Sequence, residues 1–172
     1  EFNIEGNPTP EFMNLVLAHR PHQCTLVPDS PQQLTSNEGW DTIAHRSFLT
    51  DVVAQLQEAG IRVSIFVDAA AQHVEGAKMV GADRIEFYTG HFAEEFVSNP
   101  TKAVAPHTRC AQLANEIGIG INAGHDLNLQ NLKFYKENVP GLLEVSIGHA
   151  LICDALYFGL ENTIQLYLKQ LS

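Results

Sequence analysis

Short apolar runs alternate with stretches of helical periodicity from one end of the chain to the other. The apolar runs are rich in Val and Ile and end at a polar residue or glycine, which predicts buried strands. Because these runs are nearly continuously apolar, we expect both faces of their sheet to be covered. The predicted strands are Phe2–Glu5, Gln23–Val27, Arg62–Val67, Arg84–Tyr88, Gly118–Asn122 and Leu143–Ile147.

The segments between these strands carry apolar residues at helical spacing. Thr9 followed by Pro10 is typical of a helix N-terminus, and Gly159 is expected to divide the last helical segment in two. The predicted helices are Pro10–Ala18, Ile43–Ala59, Ala71–Val80, Lys102–Glu116 and Leu129–Tyr135, with residues 91–99 as a loop. In the last segment, the spacing predicts one apolar face made of Leu156, Leu160, Ile164, Tyr167 and Leu171.

Six consecutive strand–helix units predict a single α/β domain over residues 1–172, either an open doubly wound sheet or a closed barrel. No Gly-x-Gly-x-x-Gly turn or Gly-Lys-Ser/Thr phosphate loop follows a strand, which disfavours a nucleotide-binding sheet. Polar residues at several strand ends are instead typical of the mouth of a (β/α)8 TIM barrel. These residues are Glu5, Asp29, Asp68, Thr89, His125 and His149.

A (β/α)8 barrel has eight units in about 250 residues, whereas this chain has 172 residues. We therefore expect it to contain about six of the eight units and to be truncated at its N-terminus. A six-stranded open sheet remains the alternative.

Composition narrows the choice of partners. With 20 acidic and 10 basic residues the net charge is −10, which disfavours nucleic acid and anionic membranes. The three widely spaced cysteines fit neither a disulfide framework nor a zinc knuckle and favour a cytoplasmic location. His19 and His22 lack a suitably spaced third ligand, so no metal site is expected.

Three strand ends carry candidate chemistry. Glu5 would stand at a barrel mouth, where partial desolvation favours acid–base use; the alternative is a surface glutamate. His125 follows Ala123 and Gly124, whose small size permits a sharp bend that presents an imidazole; an ordinary loop histidine is equally compatible. Gly148 lies between a strand and a helix, where backbone N–H groups can bind phosphate, although a structural turn is possible.

Several segments together resemble the pyridoxine 5′-phosphate synthase family. The most specific are Pro21-His22-Gln23-Cys24-Thr25-Leu26-Val27-Pro28, Asn122-Ala123-Gly124-His125 and Ile147-Gly148-His149-Ala150. The resemblance implies an eight-stranded barrel that condenses 3-amino-2-oxopropyl phosphate with 1-deoxy-D-xylulose 5-phosphate, without a metal or organic cofactor. It also implies homo-oligomers, from dimers up to octamers.

The resemblance also implies roles for individual residues. Glu5 matches a proton acceptor, His125 a proton donor, and Glu86 a residue that stabilises the transition state. Thr35 matches a contact to the deoxyxylulose phosphate. The phosphate site of the amino ketone is matched by Asp126, Gly148 and His149, with Asp126 standing where relatives often carry glycine. A further catalytic histidine and the cationic phosphate contacts of the family would precede Glu1.

Two other functions remain open at this stage. The same barrel mouth could serve a different phosphosugar aldolase or isomerase, because one barrel fold supports many reactions. A non-catalytic fragment that only binds phosphate or partner subunits is the alternative from another class.

Overall fold

The computed structural model describes residues 1–29 and 36–172, in which strands and helices alternate. The strands are β1 (Asn3–Gly6), β2 (Gln23–Leu26), β3 (Arg62–Val67), β4 (Arg84–Tyr88), β5 (Gly120–Gly124) and β6 (Leu142–Ser146). The helices are α1 (Pro10–His19), α2 (Arg46–Glu58), α3 (Ala71–Met79), α4 (Gly90–Phe96), α5 (Pro100–Ile117), α6 (Leu132–Asn138), α7 (His149–Phe158) and α8 (Leu160–Leu171).

The six strands form one parallel sheet in which neighbours in sequence are neighbours in space, from β1 to β6. The Gln23 amide on β2 donates a hydrogen bond of 3.2 Å to Glu144 Oε1 on β6. In a flat sheet these strands would lie about 19 Å apart, because each strand spacing is about 4.8 Å. The sheet is therefore strongly curled, and its described part is a half-barrel of six parallel strands.

The two faces of the strands differ, which corrects the expectation of continuously apolar strands. On β3, Val63, Ile65 and Val67 belong to the hydrophobic core beneath the helices. The alternate residues Arg62 and Ser64 face the inside of the curl, since successive side chains point to opposite faces. Arg62 has a partner across the interior, since its Nε donates to Gln23 Oε1 on β2, whereas the buried Ser64 hydroxyl has no hydrogen-bond partner among the described residues.

Charged and amide side chains fill the interior near the amino ends of the strands. Arg84 Nη1 lies 2.8 Å from Glu144 Oε2 and 3.2 Å from Asn122 Oδ1. Arg62 Nε donates to Gln23 Oε1 at 2.9 Å. A partly buried charge is tolerated only with such partners. This polar layer joins β2 to β6 and leaves the space at the carboxyl ends of the strands for a cavity.

Three helix predictions are corrected by the structure. Helix α2 begins at Arg46, three residues later than predicted. Residues 91–99, expected to be a loop, begin within α4, whose Phe92 is buried and packs on Tyr135 with ring centroids 4.9 Å apart. A helix this short contains too few apolar positions to give a periodic signal. Helix α6 begins later than predicted, at Leu132, because Asn131 Oδ1 accepts a hydrogen bond from Asn128 N and holds a turn before it.

The terminal helices divide at Gly159 as predicted, with φ of 79° at that glycine. The single apolar face predicted for them is wrong. Tyr167 is buried, whereas Leu156 is 82% exposed and Ile164 is 40% exposed. The break at Gly159 ends the helical register, so Leu156 no longer shares a face with Tyr167. Within the described residues, no helix is long and apolar enough to cross a membrane.

Candidate active site

A cavity of about 540 Å³ opens at the carboxyl ends of the strands. Its walls come from β1, β3, β4 and β6 and from the segments that follow β2, β5 and β6. The residues that line it are Glu5, Asp29, Ser36, Phe66, Glu86, His125, Ser146, Ile147, Gly148 and His149. Side chains from this many strand ends meet only because the sheet is curled.

Five predicted site residues line this one cavity, namely Glu5, Glu86, His125, Gly148 and His149. Asp126 lies beside it, with its carboxylate bonded to His125. Thr35 lies outside the described residues. The structure thus brings together groups that are up to 144 positions apart in the sequence (Glu5 and His149), while their chemical roles remain predictions.

Glu86 is the most deeply placed carboxyl group of the cavity, with only 2% of its surface exposed. Burial, followed by the negative charges of Glu5 and Glu144, raises its pKa to about 8. At neutral pH Glu86 therefore keeps its proton and is an uncharged hydrogen-bond donor. The Ser146 hydroxyl lies 3.4 Å from Glu86 Oε2.

Glycine at position 124 makes room for this carboxyl group. A Cβ atom there would overlap Glu86 Oε1 and would lie 2.7 Å from the carbonyl oxygen of Ser146. Both approaches are closer than real carbon–oxygen contacts. The glycine in the Asn122-Ala123-Gly124-His125 segment thus has a packing role as well as permitting the bend.

Glu5 stands at the more open side of the cavity. Partial desolvation raises its pKa, the charge of Asp29 adds to this, and His125 acts in the opposite direction. Ionisation of Glu5 is easier than ionisation of Glu86, because Glu86 is fully enclosed and Glu5 is exposed to the cavity. Both carboxyl groups therefore have a raised pKa, and Glu86 is the more deeply buried of the two.

His125 is held in an unusual backbone conformation, with φ of 88°. Its N–H donates to the carbonyl oxygen of Ser146 at 3.1 Å, and Nδ1 lies 2.8 Å from Asp126 Oδ2. Its ring centroid lies 5.9 Å from that of Tyr88 and 6.3 Å from that of His149. The imidazole is thus fixed between β4 and the turn that follows β6.

Thr89, at the end of β4, fixes the bend from the other side. Its hydroxyl donates to the carbonyl oxygen of Gly124 at 2.6 Å and accepts from Asp126 N at 3.1 Å.

Two other polar residues at strand ends have separate roles. Asp29 accepts from the Ser36 hydroxyl at the cavity wall, while Asp68 accepts from Gly39 N at 3.2 Å and does not line this cavity.

The turn after β6 is suited to an anion. Ile147, Gly148 and His149 line the cavity where α7 begins, and a Cβ at Gly148 would meet no atom within 4 Å. The first N–H groups of a helix have no intrahelical partner and carry positive partial charge. Among residues 1–29 and 36–172, no Lys or Arg lines the cavity, so the backbone N–H groups of this turn are its candidate contacts to an anion.

Sequence reasoning missed four residues of this region, which are Ser36, Phe66, Ser146 and Tyr88. None was singled out by a recognisable chemical motif. Ser146 could be identified only from strand register, which places it opposite Gly124 and therefore near Glu86. Within the described residues, no group of three or more His, Cys, Asp or Glu is arranged to hold a metal ion.

Comparison with known families gives a match over the whole chain. Residues 1–172 match the family model of the pyridoxal phosphate biosynthesis protein PdxJ. A pyridoxine 5′-phosphate synthase of Cytophaga hutchinsonii is 58% identical over 171 residues, which cover 99% of this chain and 72% of that protein. The enzyme of the same name from Bacteroides thetaiotaomicron is 58% identical over 167 residues, covering 97% of this chain and 70% of that protein.

Solved structures with a similar fold have little sequence in common with this chain. A mutant tryptophan synthase alpha-subunit from Pyrococcus furiosus has a TM-score of 0.59 at 16% identity, covering 98% of this chain and 64% of that one. A variant of the citrate synthase SbnG has a TM-score of 0.61 at 12% identity, covering 99% of this chain and 71% of that one. At these identities the likeness concerns the fold alone.

Proposed function

The chain belongs to the pyridoxal phosphate biosynthesis protein PdxJ family, and from this premise we propose that it is a pyridoxine 5′-phosphate synthase. The proposed reaction condenses 3-amino-2-oxopropyl phosphate with 1-deoxy-D-xylulose 5-phosphate and releases phosphate and water. The observation that supports the proposal is one cavity lined by Glu5, Glu86, His125 and the turn at Gly148, in which the pKa of both carboxyl groups is raised.

The acid–base work is divided among three side chains. Condensation of an amine with a ketone, followed by loss of water and phosphate, needs several proton transfers at neighbouring atoms. Glu5, the more readily ionised carboxyl group, removes protons from substrate carbon or nitrogen. His125 donates a proton to the oxygen that leaves as water, and the uncharged Glu86 donates a hydrogen bond to developing negative charge.

Phosphate binding is assigned to the turn after β6. The backbone N–H groups at Gly148 and His149 bind the phosphate of the amino ketone, and the start of α7 adds favourable partial charge. Anchoring a substrate by its phosphate fixes its reactive carbons relative to Glu5 and His125. The carboxyl groups that line the rest of the cavity repel a phosphate group. The substrate is therefore expected to bind in one orientation, with its phosphate at this turn.

The complete architecture we propose is a (β/α)8 barrel to which this chain contributes six β/α units. The sequential parallel order of the strands and the contact between β2 and β6 support it, since both are features of a closing barrel. The greater length of the relatives also supports it, because this chain spans about 72% of theirs. Homo-oligomerisation and a cytoplasmic location are part of the same proposal and rest on the family resemblance and the cysteine pattern.

Incubating the purified intact protein, with the residues expected ahead of Glu1, with both substrates tests the proposal, and pyridoxine 5′-phosphate is measured by chromatography. We expect product from the unmodified protein, and a fall in kcat of about 100-fold or more for His125→Gln and for Glu5→Gln. His19→Gln removes an exposed histidine that does not line the cavity and should retain full activity. A folded intact protein that forms no product, or that only cleaves or isomerises one substrate, would reject the synthase.

A further inference from the structure

The carboxylate of Asp126 contacts a ring nitrogen of His125, its neighbour in the sequence. The distance from Asp126 Oδ2 to His125 Nδ1 is 2.8 Å, and the side chains are 40% and 20% exposed, respectively. The resemblance implied that Asp126 contacts substrate phosphate. A carboxylate repels phosphate, and this one is already directed at an imidazole.

The backbone around this pair is fixed on both sides. The N–H of His125 donates to β6, and the N–H of Asp126 donates to Thr89 at the end of β4. The carbonyl oxygen of Asp126 accepts from the side chain of Asn131 at 3.2 Å. These bonds hold His125 at φ of 88°, a conformation that is strained for any residue other than glycine. Without these hydrogen bonds, the loop would be expected to adopt a less strained backbone conformation at His125.

The chemistry of the contact determines which nitrogen carries the proton. An ionised carboxylate can only accept a hydrogen bond, so the ring nitrogen that faces it must be the donor. In neutral imidazole the other nitrogen then carries the lone pair.

We propose that Asp126 is a positioning residue for His125, which keeps the proton on Nδ1 and directs all proton transfer to Nε2. This inference rests on the proposed function for its kinetic consequence only. In the reaction, Nε2 of the imidazolium gives its proton to the departing substrate oxygen, and the ring becomes the neutral tautomer with Nδ1–H still bonded to Asp126. Asp126 itself touches neither substrate nor phosphate.

Nitrogen NMR of the chain labelled at histidine tests this directly, with His125 assigned from its loss in His125→Gln. In the neutral ring we expect a protonated Nδ1 and an unprotonated Nε2. Asp126→Ala should remove the preference for this tautomer, as should Asp126→Asn, whose amide can donate to Nδ1 instead. Asp51→Ala removes an exposed carboxylate on α2 and should leave the His125 signals unchanged. A neutral His125 that carries its proton on Nε2 in the unmodified chain would overturn the proposal without any variant.

Enzyme kinetics distinguish a positioning role of Asp126 from a direct contact between Asp126 and substrate phosphate. For Asp126→Asn we expect kcat to fall about 100-fold while KM for each substrate changes less than about threefold, since only the transition state loses an interaction. A changed KM with unchanged kcat would mean that Asp126 acts on bound phosphate and would overturn the assignment. If the intact protein forms no product at all, the synthase proposal fails, and the tautomer measurement still decides the role of Asp126.

Discussion

Two carboxyl groups in one cavity differ because their surroundings differ. Glu86, on β4, is buried and lies near the negative charges of Glu5 and Glu144, so it keeps its proton at neutral pH. Glu5 faces the open side of the cavity, where partial desolvation and Asp29 raise its pKa and His125 acts in the opposite direction. A general base and an uncharged hydrogen-bond donor can therefore be provided by the same residue type.

The raised pKa of Glu86 makes the stability of the fold depend on pH. The folded pKa of about 8 exceeds the ordinary glutamate value of 4.5, so between these values the folded state holds one proton more than the unfolded chain. The free energy of unfolding must then fall as pH rises through this range. We expect a fall of about 2 kcal/mol between roughly pH 6 and pH 8.

Glu86→Gln cannot ionise, so this variant should lose that part of the pH dependence. Urea unfolding of both proteins across the pH range measures it. Glu58→Gln alters an exposed glutamate on α2 and should behave as the unmodified chain does. Equal pH dependence in Glu86→Gln and the unmodified chain would show that Glu86 ionises normally.

At the scale of elements, strand pairing positions the site. Glu86 on β4 is paired with Asn122 on β5, and Gly124 is paired with Ser146 on β6. These registers bring Gly124 and Ser146 to the Glu86 carboxyl group, and the turn after each strand then directs His125 and Gly148 toward the same space. A shift of one residue in either register would turn these side chains to the helix-covered face.

Gly124→Ala tests how closely β5 must approach Glu86. The added Cβ would overlap Glu86 Oε1 and the Ser146 carbonyl group, so β6 and the carboxyl group must move apart. We expect a loss of about 1–3 kcal/mol in the free energy of unfolding and a fall in activity of about tenfold or more.

The control for this substitution is Gly60→Ala. Gly60 has a positive φ, of 79°, and a Cβ added there would meet no atom within 4 Å. This variant should lose about 1 kcal/mol of stability from backbone strain and keep its activity. Full activity in Gly124→Ala would mean that the Glu86 carboxyl group can be displaced without consequence.

The molecule as a whole shows apolar surface on its last two helices. Ile152, Leu156, Tyr157, Phe158 and Leu160 are all more than half exposed, and Leu156 and Tyr157 exceed 80%. Contiguous exposed apolar groups favour association in water. The other side of α8 packs on the fold, because Tyr167 is buried in the hydrophobic core, and the Tyr167 hydroxyl joins α8 to α7 by donating to Asp154 Oδ2 at 2.8 Å.

We expect the chain to self-associate at micromolar concentration through this surface, as measured by sedimentation velocity. The double variant Leu156→Ser, Tyr157→Ser should shift the distribution toward monomer and change the free energy of unfolding by less than about 0.5 kcal/mol. Val97→Ser removes an apolar residue outside this surface that is 87% exposed and should leave association unchanged. Undiminished association of the double variant would assign it to a different surface.

Local sequence determined the order of strands and helices, the helix start at Thr9, the break at Gly159 and the strand ends that carry Glu5, His125 and Gly148. These depend on residues within a few positions of one another, so backbone preference and apolar spacing suffice to predict them. The tertiary structure decided the polar inner face, the protonated state of Glu86, the contribution of Ser146 and the contact of Asp126 with His125. Each of these follows from curling of the sheet or from packing between strands, because desolvation and charge depend on which distant residues enclose a group.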